Sequence, residues 1–160
     1  MSEDRRAVIV AFDGSDQARA AVTAAAGLFP THKLVVVSVW EPGLAVAMAP
    51  LRDSTGNGYV SPSPEEMAAV DRAQRDHAVD AAAEGVRIAE ELGATAQPLA
   101  LGDEADVADT LVAAAERCHA DAVVVGSRGV GGVKARLFGS TSRGVLERSK
   151  RPVVVVRAPK

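Results

Sequence analysis

The sequence predicts an α/β domain, an open five-stranded parallel sheet with helices on both faces. Two observations carry this. Short continuous apolar runs, each ended by turn residues, read as strands covered on both faces. Amphipathic stretches with helical spacing alternate with them in the order β-α-β-loop-α-β-α-β-α-β, which implies parallel strands joined by helical crossovers. At 160 residues the chain suits one domain spanning 1–160. Hydrophobic residues are 48% and aromatics only 3%, so the core must be built from Val, Ala, Leu and Ile.

The elements follow in order. Ala7 to Phe12 is the first buried strand, ended by Asp13-Gly14-Ser15. Ser15 is a candidate N-cap for a helix with Ala18, Ala21, Val22 and Ala25 on one face. Leu34 to Val39 is the second strand. From Gly43 to Pro64 the chain is rich in Gly, Pro, Ser and Asn and reads as a long flexible loop, whose apolar patches could also form a short helix or a lid-like contact. Ser63 and Glu66 form a capping-box pattern for a helix running to about Leu92, with Met67, Val70, Ala78, Ala81, Ala82, Val86, Ile88 and Leu92 as apolar surface. Gly93 stops it. Ala94 to Leu101 is a weaker strand, and Pro98 hints at an edge position. Asp103-Glu104 suits the start of a helix with Val107, Leu111, Val112 and Ala115 inward. Ala122 to Val125 is the next strand. A helix over about Ser140 to Arg148 and a last strand, Pro152 to Arg157, complete the pattern.

Function is signalled by one loop. Gly126-Ser127-Arg128-Gly129 directly follows the strand from Ala122, and nine residues separate Gly129 from Gly139-Ser140. Glycines allow close backbone approach, and N–H groups converge at a helix start, so this strand–loop–helix reads as a phosphate cradle. It is not a P-loop, because Gly132 stands where lysine belongs. Nor is it a Rossmann fingerprint, because the first strand leads into Asp13-Gly14-Ser15.

The G-x-x-G-(nine)-G-S spacing resembles the ATP-binding signature of the universal stress protein family, and the resemblance runs from Val8 to Arg157. It implies strand order 3-2-1-4-5, with the ligand crevice between strands one and four where the order reverses. Asp13 and Gly126 would converge there. The family pattern carries over onto Gly126, Arg128, Gly129, Gly139, Ser140, Thr141 and Ser142 as phosphate-side residues. Arg128 is a candidate charge partner for phosphate. Val39 matches a position whose backbone meets the adenine edge. Asp13 would face the ribose or adenine, or hold a metal that travels with the phosphates, or simply cap the first helix. Gly102 flanks the same pocket or is a turn.

Other classes are disfavoured. Net charge is −3, which argues against general nucleic-acid binding. His32, His77 and His119 are scattered with no metal-ligand spacing, and Ser15 and Ser140 lack an evident base. Arg143, Arg148 and Lys150-Arg151 read as solvated faces. The single cysteine, Cys118, reads as helix packing. With a short charged start and no apolar run of membrane-spanning length, a soluble cytoplasmic protein is expected. The expectation is an ATP-binding sensor or regulator, with or without magnesium accompanying the nucleotide, and a homodimer formed through the last strand. The alternatives are a slow ATP hydrolase or adenylate-processing enzyme, and a dimerisation module without ligand.

Overall fold

The computed structural model describes residues 6–43, 62–103, 105–128 and 138–159. Most of the loop expected at 43–64, and Gly129, lie outside the described residues. The elements are β1 (Ala7–Ala11), α1 (Asp16–Leu28), β2 (Lys33–Trp40), α2 (Pro64–Glu91), β3 (Thr95–Gly102), α3 (Val107–Arg117), β4 (Ala122–Gly126), α4 (Ser140–Arg148) and β5 (Val153–Val156). All strand pairs are parallel, in the order β3-β2-β1-β4-β5. The fold class and strand order expected from the sequence are those observed.

The apolar runs divide by the twofold alternation of a strand. Val8, Val10, Phe12, Leu34, Val36 and Val124 face one way and pack with Ala18, Ala21, Val22 and Ala25 of α1 and with Ala81 and Ala89 of α2. Ile9, Val35, Val37, Val123 and Val125 face the other way, against Ala108, Leu111, Ala114 and Ala115 of α3 and Val145 of α4. With so few aromatics, alanine-faced helices must approach the sheet closely to exclude water. The chain changes faces between β3 and β4, which leaves β1 and β4 as neighbours whose connections diverge to opposite sides. That divergence opens a crevice at their carboxyl ends.

Among the described residues, three helix starts are capped by side chains. Ser15 accepts from the Ala18 N–H, and Ser63 with Glu66 forms the full capping box. The Glu66 carboxyl is held below its ordinary range, first by the hydrogen bond from the Ser63 N–H. The third start differs from the sequence expectation. Helix α3 begins beyond Asp103, and Asp106 caps it, accepting from the Asp109 N–H at 2.8 Å. A carboxylate one residue before the helix reaches the third N–H, and one placed further upstream does not. The inner face of α2 also differs. Ala78, Ala81, Ala82, Gly85 and Ala89 are buried, whereas Val70 and Leu92 are exposed, because close approach selects small residues. A β-carbon on Gly85 would stand 2.6 Å from Val36 Cγ1. β3 is an edge strand, where Pro98 is tolerated without an N–H to donate.

Candidate functional site

The site begins where β1 and β4 end. Val10 lies opposite Val124, so the two chains leave the sheet side by side. After β1, Gly14 takes φ +80°, and the Asp13 carboxylate accepts from the Ser15 N–H at 3.0 Å. Asp13 therefore orders the turn that precedes the α1 cap while its side chain remains exposed. After β4, Ser127 is buried, and its N–H donates to the Val156 carbonyl at 2.7 Å. Its carbonyl accepts from the Gly139 N–H at 2.7 Å, which brings the start of α4 back beside the strand it left.

The signature residues take different places in this frame. Gly126 is the last residue of β4 and pairs with Val156. A β-carbon there would lie 2.9 Å from the backbone of Gln17, so α1 occupies the space a side chain would need. Arg128 is half-buried just beyond the strand end. Gly139 is the N-cap of α4, and no side chain caps that helix among the described residues. The first-turn N–H groups of α4 have no intrahelical acceptor. Ser140 and Thr141 form that first turn and line a cleft. Ser142 is buried, and its hydroxyl shares its proton between the carbonyls of Ser127 (3.2 Å) and Gly139 (3.1 Å). Val39 lies in β2 beside Leu101 of β3, with its side chain against the α3 face of the sheet.

The cleft measures about 460 Å³. Its walls come from the end of β2 (Glu41, Pro42, Gly43), the β3–α3 connection (Asp103, Ala105, Asp106) and the first turn of α4. Asp13 and Arg128 are not among the described lining. The cleft combines two kinds of polar group. The open start of α4 supplies N–H donors and a favourable end of a helix dipole. Glu41, Asp103 and Asp106 supply hydrogen-bond acceptors. The Asp103 carboxyl is pushed above its ordinary range by partial burial, then by repulsion from Glu41 and Asp106. The Asp106 carboxyl is held below its ordinary range, first by the Asp109 N–H and then by Arg148.

Sequence reasoning missed part of this wall. Arg148 is not simply solvated. Its guanidinium donates to Asp106 at 2.6 Å and lies 2.9 Å from Asp109, which ties the end of α4 to the start of α3. The pair is far apart in sequence, and only packing reveals it. The spacing Asp106-Val107-Ala108-Asp109 was a usable cap signal. Ser127 and Gln17 carried no signal of their own. His32 lies at the opposite end of the sheet, 3.2 Å from Asp121. His119 has φ +47° where α3 terminates. Neither approaches the cleft. Among the described residues no three His, Cys, Asp or Glu side chains cluster as a metal site, and no helix is long and apolar enough to cross a membrane.

Known proteins share this architecture. A universal stress protein from Thermus aquaticus, from the 3′ region of a sulfhydrylase gene, is 28% identical over 154 residues, covering 95% of this chain and 98% of the relative. The UspA structure from Lactobacillus plantarum superposes with a TM-score of 0.72 at 20% identity, covering 96% of this chain and 98% of the other. A universal stress protein from Archaeoglobus fulgidus, solved in complex with dAMP, gives 0.58 at 20% identity over 95% and 97% of the two chains. A family protein from Arabidopsis thaliana, solved with AMP bound, gives 0.61 at 17% identity over 96% and 92%. The model of the universal stress protein family matches residues 4–157. With the family model matched over residues 4–157 of its 160, this chain, an open parallel sheet of order β3-β2-β1-β4-β5, belongs to the universal stress protein family.

Proposed function

We propose that the protein binds an adenine nucleotide, ATP in the first instance, in the cleft bounded by the end of β2, the β3–α3 connection and the start of α4, and acts as a nucleotide-dependent sensor or regulator of stress. The observation that carries this reading is the start of α4. Gly139 leaves the helix uncapped by any described side chain, and Ser140 and Thr141 turn that end into a cleft of about 460 Å³. An anionic phosphate suits those N–H groups. Ribose hydroxyls and the purine amino group are donors, and they suit the carboxylates on the opposite walls. The relatives solved with dAMP and AMP support the choice of base. Gly129, Arg128 and Ser142 belong to the phosphate side in this reading, Val39 to the adenine side and Asp13 to the ribose or metal side. Magnesium would arrive on the phosphates themselves, which need only one or two protein carboxylates beside them. In this reading the protein is cytoplasmic and forms a homodimer through β5.

Binding rather than turnover is the proposed activity. His32 and His119 lie away from the cleft. Any ATP hydrolysis should fall far below about 10 per second. Calorimetry with ATP, ADP, AMP and cyclic AMP tests the reading, and Gly139→Asp sharpens it. Asp is a better N-cap than Gly, so the variant should melt no lower than wild type, yet its carboxylate should exclude phosphate. Wild-type protein that saturates with none of the four nucleotides would overturn the proposal. Native mass spectrometry would report any co-purified nucleotide and the oligomeric state together.

A further inference from the structure

Gln17 stands in the first turn of α1, on the Asp13 side of the crevice, and holds the other side. Its Oε1 accepts from the Ser127 hydroxyl at 3.0 Å and from the Ala158 N–H at 2.7 Å. A carboxamide oxygen has two lone pairs, and both are used. Ser127 is 2% exposed, and its remaining backbone groups are also engaged. Its N–H donates to Val156, and its carbonyl accepts from Gly139 and Ser142. One buried serine thus joins α1, the end of β4, the strand β5 and the start of α4. Gly126, directly before it, lacks a side chain because the Gln17 backbone fills that space.

We propose that Gln17 is a positioning residue for the nucleotide site, and that through it the chain following β5 sets the position of Ser127 and of the α4 start bonded to it. The inference rests on the nucleotide-binding reading for its effect on affinity, but not for the mechanical coupling itself. Ser127 immediately precedes Arg128 and is bonded to the α4 N-cap. A shift of Ser127 therefore moves the phosphate-facing N–H groups. Gln17 limits that shift only while both donors hold it. Loss of the Ala158 donor frees the carboxamide to rotate. Coupling of this kind is reciprocal, so nucleotide should in turn slow exchange of the Ala158 amide.

Four proteins test this: wild type, Gln17→Leu, Ala158→Pro and Ala158→Gly. Proline at 158 removes the N–H, and glycine keeps it. Two readouts are taken, hydrogen exchange at the Gly139 amide without ligand, and AMP and ATP affinity by calorimetry. Gln17→Leu and Ala158→Pro should both speed Gly139 exchange and weaken binding by roughly tenfold, the scale of one hydrogen bond. Ala158→Gly should match wild type in both. A lower melting temperature with unchanged Gly139 exchange and unchanged affinity would make Gln17 a purely structural staple and overturn the proposal. So would Ala158→Gly behaving like Ala158→Pro. If wild type binds neither nucleotide, the functional reading fails, and Gly139 exchange alone decides the coupling.

Discussion

The backbone of Gln17 lies 2.9 Å from where a β-carbon on Gly126 would stand. The first glycine of the signature is therefore required by helix packing against the sheet, whatever it contributes to a ligand. Gly126→Ala should lower stability by about 1–3 kcal/mol, since backbone rather than a flexible side chain must give way. Thermal melting should show a drop of several degrees. Gly139→Asp should show none, which would separate two glycines of one motif by their physical roles.

Gly85 sets a propensity against a contact. Alanine is better than glycine within a helix by about 1 kcal/mol. Its β-carbon would meet Val36 Cγ1 at 2.6 Å and Phe12 at 3.1 Å, both in the buried core. Overpacking costs about 1–3 kcal/mol and should win. Gly85→Ala should denature at lower urea concentration, and a rise in the midpoint would show that α2 can shift outward freely.

Two carboxylates of the cleft, Asp103 and Asp106, should have opposite pH signatures. Asp106 titrates lower when folded than when unfolded, so its stabilisation is present at neutral pH and is lost as pH falls below the ordinary carboxylate range. Asp106→Ala should cost about 1 kcal/mol at pH 7, chiefly through the lost cap. Asp103 titrates higher when folded, so its ionised form opposes folding above that raised pKa. Asp103→Asn should raise the melting temperature at pH 7, and the gain should vanish near pH 3. Melting curves across pH 3–8 would check both, and a destabilised Asp103→Asn at pH 7 would refute the repulsion argument.

β5 is an edge strand, and all four of its valines are only partly buried. An apolar edge invites pairing with a second chain. Light scattering at micromolar concentration should show a dimer, and Val155→Pro should disturb it, because the ladder that sends the Val123 N–H to Pro152 and the Ser127 N–H to Val156 leaves the Val155 N–H on the open edge. A wild-type monomer would defeat the pairing. An intact dimer in the variant would place the interface elsewhere.

The sequence by itself determined the architecture. Runs such as Val8–Val10 and Val123–Val125 are apolar on both faces, and only a sheet covered twice can bury them. Local chemistry also placed Ser15 and Ser63 as caps, because a cap is decided within four residues. The glycine spacing around Gly126 and Gly139 marked the loop. Tertiary structure alone decided what those residues touch. It revealed Gly126 as a contact for Gln17, Ser142 as a donor to the carbonyl of Ser127, and Arg148 as a partner for Asp106. Each of these joins segments far apart in the chain, where neither periodicity nor capping rules reach. The cleft follows the same logic, because its walls come from three connections that only the reversal of strand order brings together.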